Sequence, residues 1–84
     1  MSEDDYHVGE NLLEAVEAYI DGDKTASEAY DKINDLSNRF SGDDHNTSML
    51  QITSESLSRK LLQPTPDLDS IKSERDEIKK YLGK

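Results

Sequence analysis

Apolar residues recur at helical spacing in four stretches of the chain. The first runs from about Val8 to Ile20, where the apolar side chains share one arc of a helix with about 3.6 residues per turn. Gly22 follows and supplies a stop, because glycine readily adopts the left-handed conformation in which many helices end. The pattern predicts a helix over residues 8–21, preceded by a flexible polar arm over residues 1–7.

The second stretch opens with a capping box, in which Thr25 caps the helix and Glu28 binds back to the backbone of the cap. Apolar side chains then recur at helical spacing as far as Phe40, and Gly42 offers a stop. We therefore expect a helix over residues 25–41 that forms a hairpin with the first helix.

Two further helices are expected in the second half of the chain. Residues 47–62 carry leucines at helical spacing, among serines and threonines that compete for backbone hydrogen bonds, and a Pro-Thr-Pro segment follows. Residues 67–82 place their leucines and isoleucines on one face and end at Gly83. Four short amphipathic helices with short connections predict an all-α fold, a small antiparallel bundle that forms a single domain over residues 1–84.

The chain contains few large apolar residues from which to form a core. Leu, Ile, Val and Phe make up about one fifth of the chain, close to the composition of disordered proteins. The helical spacing of these residues is what favours a fold. The first residues are acidic, unlike those of a signal peptide, and no apolar run approaches the roughly 20 residues needed to span a bilayer. We therefore expect a soluble cytoplasmic protein with no membrane partner.

The net charge of −9 is distributed unevenly. Residues 1–24 hold eight acids and one base, and residues 25–45 hold five acids and two bases. Residues 46–84 are nearly neutral, with six acids and seven bases. Direct binding of DNA or RNA is not expected, because phosphates require a basic surface. The acidity favours a basic protein partner instead.

The acids of the hairpin lie in rows that contain no lysine or arginine. At roughly 100° per residue, the acids of each predicted helix fall within an arc of about 60°. Like charges at this spacing destabilise a helix by a few tenths of a kcal/mol per pair, so their repetition favours a binding surface over an ordinary solvated face. The two rows are Glu10, Glu14, Glu17 and Asp21 on the first helix, and Glu28, Asp31 and Asp35 on the second.

Catalytic and metal-binding chemistry find little support in the sequence. His7 and His45 both fall in segments predicted to be flexible, and general acid–base catalysis needs a carboxyl group in a pocket that a bundle of this size hardly provides. A calcium loop starting at Asp21 would need glycine and glutamate where Ala26 and Lys32 stand. We expect no catalytic residue, no metal site and no cofactor.

Tyr30 lies at the margin of the apolar face of the second helix. Tyrosine is enriched among the residues that dominate binding energy at protein interfaces. We therefore add Tyr30 to the acidic rows as a candidate anchor for a partner.

Two segments of the chain resemble the colicin D-type immunity proteins. Residues 12–30, which read LLEAVEAYIDGDKTASEAY, are similar to the opening of that family, with a first helix ending in an aromatic–aliphatic pair, a short turn and a small-residue–Glu start to the next helix. Residues 71–82, IKSERDEIKKYL, are similar to its closing helix. Residues 41–56 depart from the family, since they are rich in Ser, Thr and Asp and lack its aromatic content.

The resemblance implies a small acidic helical bundle that binds a tRNA-cleaving toxin and blocks its basic active-site cleft. In that reading the carboxylates stand in for substrate phosphates and face lysines and arginines of the toxin. The residues in these positions are Glu14, Glu17, Asp21, Asp31 and Asp35. Two alternatives remain open: a phage-type inhibitor of a host nuclease that mimics nucleic acid, and a helical adaptor whose charge only keeps it in solution.

Overall fold

The computed structural model describes residues 1–84 and contains four α-helices and no strand. The helices are α1 (Glu3–Ile20), α2 (Ala26–Ser37), α3 (His45–Leu61) and α4 (Leu68–Tyr81). The predicted all-α class is confirmed. None of the helices combines the length and the apolar character that crossing a bilayer requires.

The helices form a ring around one core. Each packs against its neighbours in the chain and α4 returns to α1, whereas α1 and α3 touch little across the diagonal. Short connections make consecutive helices antiparallel. Fourteen buried hydrophobic side chains fill the centre. The outer faces of α1 and α3 therefore lie at opposite corners of the bundle.

The first helix begins earlier than the apolar pattern predicts. Ser2 caps it, since the Ser2 hydroxyl oxygen accepts the backbone N–H of Asp5 at 3.1 Å. Acidic residues fill the first turn, where the positive end of the helix dipole stabilises them. The flexible arm predicted for residues 1–7 was wrong, because a polar cap and an acidic first turn begin the helix without apolar periodicity.

Asp5, in the first turn of α1, is a buried carboxylate with 1% of its surface exposed. Its carboxylate accepts the backbone N–H groups of Ser41 at 2.9 Å and Gly42 at 3.0 Å, and the hydroxyl of Ser2 at 2.9 Å. These bonds, led by the one from the Ser41 N–H, hold the pKa of Asp5 below its ordinary value although burial opposes them. Asp5 thereby ties α1 to the loop between α2 and α3.

Gly42 belongs to this contact and is not the helix stop that its position suggests. A Cβ at residue 42 would lie 2.7 Å from a carboxylate oxygen of Asp5 and 2.9 Å from one of Asp44. A side chain at residue 42 would force these carboxylates or the loop backbone to move, so glycine permits this close approach.

The second helix ends at Ser37, short of the predicted end at residue 41. The Ser37 hydroxyl and the Asn38 amide both donate to the carbonyl of Asn34, at 2.8 and 3.1 Å. These side-chain bonds satisfy a carbonyl of the last turn and so favour ending the helix there. Phe40 then returns to the core from a non-helical segment, so its apolar character does not extend the helix.

The other sequence features used to predict the helices are found in the structure. The capping box forms, with the Glu28 carboxylate accepting the Thr25 backbone N–H at 2.9 Å and the Thr25 hydroxyl oxygen accepting the Glu28 N–H at 3.2 Å. Gly22 adopts a φ of 85° after α1. In α3 the hydroxyl of Ser54 donates to the Gln51 carbonyl at 2.6 Å and that of Ser58 to the Ser54 carbonyl at 3.1 Å, so the two buried serines of that helix are satisfied within it.

We predict that Asp5→Asn lowers the free energy of unfolding by about 2 kcal/mol at pH 7, because an amide cannot accept all the bonds that the carboxylate receives. The folded-state pKa of Asp5 lies below its ordinary 3.8, so its stabilisation is complete above that pH and is lost as the pH falls through the folded value. The stability deficit of the variant should therefore shrink as the pH falls below 3.8 and through the lower folded-state pKa. Urea denaturation followed by circular dichroism measures both effects.

Asp4→Asn is the matched control, since Asp4 is exposed in the same helical turn. Its effect should stay near about 0.5 kcal/mol, the size of a helix-dipole contribution. Equal losses for the two variants would contradict a special role for the buried carboxylate.

Candidate functional site

The four carboxylates predicted to share one edge of α1 do so. They line a single shallow depression of about 480 Å³ on the outer face of the helix, to which Leu13 and Ala18 add apolar lining. α1 positions them there because its buried residues occupy the opposite arc. The four are Glu10, Glu14, Glu17 and Asp21.

This row is extended. From Glu10 to Asp21 the helix rises about 16 Å, at roughly 1.5 Å per residue. The arrangement offers a line of negative charge about three turns long, which suits several cationic groups of a partner surface. No group of three or more acidic or histidine side chains is arranged to hold a metal ion.

Asp23 and Lys84 also line the depression, and the sequence reasoning did not place them there. Each follows a glycine that ends a helix. After α1 the Asp23 N–H donates to the Ala18 carbonyl at 2.8 Å, and after α4 the Lys84 N–H donates to the Lys79 carbonyl at 2.8 Å. In these Schellman motifs the chain folds back over the last turn. For Asp23 the sequence did contain an indication, because Gly22, which adopts a φ of 85°, is the residue that allows the chain to turn back there.

Lys84 also forms an ion pair inside the depression. Its ammonium lies 3.2 Å from a carboxylate oxygen of Glu10, with both side chains partly exposed. The pair joins residues 74 positions apart, so no local pattern predicts it. The row of α1 therefore contains one cation in the folded protein, although none lies within its sequence.

The three acids of α2 have different surroundings and do not line this depression. Glu28 belongs to the capping box, and the backbone N–H of Thr25 is the leading cause that holds its pKa below the ordinary value. Asp35 pairs with Arg39 at 2.8 Å. Asp31 is exposed and is in no ion pair. The expected second row thus contains one structural carboxylate, one paired and one free.

Lysines separate the two rows. Lys24 and Lys32 lie with Glu14, Asn11 and Ala15 around a smaller depression between α1 and α2. The hairpin therefore presents two acidic faces divided by these lysines, and the α1 face carries the larger negative charge, five carboxylates with one lysine.

Tyr30 lies away from the α1 acids. It is half-buried on the edge of α2 that faces α3, where it lines a groove together with Asn34 of α2 and with Ser58 and other residues of α3. This groove shares no residue with the acidic depression. Tyr30 is accordingly placed to contact a different surface from the one that the acidic row offers.

Both histidines lie in helices, which corrects the expectation of flexible segments. His7 is exposed on α1, 3.4 Å from a carboxylate oxygen of Glu10 and 3.7 Å from one of Glu3. His45 is the first residue of α3, and its ring and that of Tyr81 form a T-shaped pair with the centroids 6.2 Å apart. His7 thus places an imidazole ring at one end of the acidic row.

Comparison of the chain with protein-family models, curated proteins and solved structures finds no match. The candidate surface therefore rests on its own geometry: five carboxylates and one lysine around one depression on α1.

We predict that replacing Glu14, Glu17 and Asp21 by Gln, Gln and Asn raises the free energy of unfolding by about 0.5–1 kcal/mol at low salt. The substitutions remove like-charge neighbours one turn apart and an acid at the negative end of the helix dipole. The gain should shrink in about 0.5 M salt, which screens exposed charges. Denaturant unfolding at two salt concentrations measures it.

The control replaces Glu3 and Asp4, exposed acids in the first turn of the same helix. There the dipole favours negative charge, so neutralisation should lower stability. A gain in stability at both ends of α1 would show that total charge, and not the row, is responsible.

Proposed function

We propose that this protein is a non-enzymatic inhibitor that binds a basic protein partner through the α1 depression. We further propose that the partner is a nuclease-type toxin, which the protein neutralises in the cytoplasm as an immunity protein does. The observation that carries the proposal is the set of five carboxylates around one depression with a single lysine among them.

A nuclease binds a polyanionic substrate, so its active-site cleft is basic. Carboxylates one helical turn apart on α1 present a comparable row of negative charge, which a basic cleft would accept in place of phosphates. The Lys84 ammonium, 3.2 Å from Glu10, is an internal example of the contact that a lysine of the partner would make. The apolar lining from Leu13 and Ala18 suits the aliphatic stems of lysine and arginine.

The likeness of residues 12–30 and 71–82 to the colicin D-type immunity proteins supports the same reading. A phage-type inhibitor that mimics nucleic acid would use the same surface against a host nuclease, so the identity of the partner separates these two functions. An adaptor would use an apolar surface and would not depend on the acids.

The first experiment identifies the partner. The tagged protein is purified from its own cells, and the protein encoded beside it in the genome is tested directly for binding and for nuclease activity. We expect a basic nuclease whose cleavage of tRNA or DNA stops at a one-to-one ratio. A partner without nuclease activity would contradict the inhibitor function.

We predict that the fourfold variant Glu10→Gln, Glu14→Gln, Glu17→Gln and Asp21→Asn slows association with that nuclease at least about tenfold at low salt. Electrostatic steering accelerates association by such factors, and neutralising the row removes it. Stopped-flow or surface plasmon resonance measures the rate, which for the unmodified protein should fall steeply as salt is raised.

A matched variant neutralises four exposed acids elsewhere, Asp43, Asp69, Asp76 and Glu77. Removing four negative charges takes the net charge from −9 to −5 in both variants, so only the location differs. The matched variant should keep most of the association rate. Unchanged binding of the α1 variant would favour the adaptor, and a variant of Asp31 and Asp35 tests whether α2 contributes.

A further inference from the structure

The outer face of α3 exposes two large apolar side chains. Ile52 is 56% exposed and Leu62 is 63% exposed, more than any other large hydrophobic residue of the chain. Between them lie Glu55 and Arg59, also exposed, and neither takes part in an ion pair within the protein. All four fall within an arc of about 80° at roughly 100° per residue.

The order of these residues is symmetric about Leu57. The two apolar residues stand five positions before and after it, and Glu55 and Arg59 stand two positions before and after it. Reversing the direction of the helix therefore exchanges apolar with apolar and acid with base. Such a face is complementary to itself, as an interface around a two-fold axis must be.

We propose that this face binds a second copy of the chain, with α3 packed antiparallel against α3 around a two-fold axis at the level of Leu57. Glu55 then meets Arg59 of the second copy, and Arg59 meets its Glu55. Ile52 meets Leu62 of the second copy, and the reverse contact follows by symmetry. Helices that cross at a shallow angle keep residues five positions from the crossing point in contact.

A groove beside this face can accommodate an apolar side chain of the second copy. Tyr30, Asn34 and Ser58 line it together with Leu62 and the charged pair of α3, and its volume is about 210 Å³. An isoleucine that approaches Leu62 from a second copy would enter this groove. The half-buried ring of Tyr30, which the acidic depression leaves unused, then contacts the second copy.

The distribution of charge along the chain also favours this face as the dimer interface. Residues 46–84, which include all of α3 except His45, hold six acids and seven bases, whereas the rest of the chain is strongly acidic. Two copies of a protein with a net charge of −9 repel each other least where the local charge is balanced. α3 is also the corner diagonal to the acidic row of α1.

The dimer is weak. α3 has 17 residues and is about 25 Å long, so one face of it buries less than the roughly 800 Å² per partner of a stable complex. We expect a dissociation constant between about 10 μM and 1 mM. Sedimentation equilibrium over this concentration range measures it with the full chain.

Charge reversal tests the pairing. Glu55→Arg and Arg59→Glu each place like charges across the axis, and each should weaken dimerisation at least about tenfold. Opposite charges are restored when the two variants are mixed in equal amounts or when both changes are combined in one chain. The dissociation constant of the dimer should then return to within about threefold of that of the unmodified protein. Circular dichroism verifies that each variant is folded.

Ile52→Lys tests the apolar contact, and Leu68→Lys is its control, because Leu68 is 41% exposed on α4, outside this face. The first should abolish the dimer and the second should leave it. A chain that remains monomeric at about 1 mM overturns the proposal, as does a dimer that survives both charge reversals and Ile52→Lys.

Discussion

The carboxylate of Asp5 fixes how the first helix is placed in the bundle. It joins the start of α1 to backbone N–H groups of residues 41 and 42, just before the cap of α3. Since α1 and α3 otherwise touch little, this buried contact is an important polar link across the diagonal. One turn further along α1, Gly9 allows close packing of the same side of the helix, because a Cβ there would lie 2.7 Å from Leu82 and 3.2 Å from Leu50. With this side of α1 held inward, the acidic row must face outward.

The acidic row acts against the stability of the helix that carries it. Its carboxylates repel one another along α1, and Asp21 stands at the negative end of the helix dipole with no basic residue in the last turn. Exposed pairs such as the one from Lys84 to Glu10 offset little of this, since surface ion pairs contribute at most about 1 kcal/mol. A small domain has little stability to spare. A row that lowers the stability of its own helix does not contribute to folding, which is consistent with the binding role proposed for it.

The sequence predicted what depends on neighbours along the chain. Apolar spacing located all four helices, and the capping box of Thr25 and Glu28 formed as expected. The failures have two physical causes. Polar caps begin or end helices without apolar periodicity, as Ser2 and Ser37 do. Contacts between distant residues, such as Asp5 with Ser41, leave no local pattern.

The candidate site divides in the same way. The four acids of α1 share an edge because helical geometry alone dictates it, so the sequence was sufficient for them. The addition of Lys84, the separation of the α2 acids by lysines and the position of Tyr30 all depend on how the helices pack. The helical spacing of the acids therefore located the surface on α1, but the sequence could not show which residues from other parts of the chain border it.

The diagonal arrangement of α1 and α3 has a consequence for how the two proposed surfaces would act together. They share no lining residue and face opposite directions, so occupying one does not obstruct the other. Coupling between them would require a change of state in the bundle, since linkage needs a differential effect on two conformations. The core of fourteen buried side chains lies between them, so the two equilibria should be independent. A dimer through α3 would then present two acidic rows pointing away from its axis, and each copy would bind its own partner.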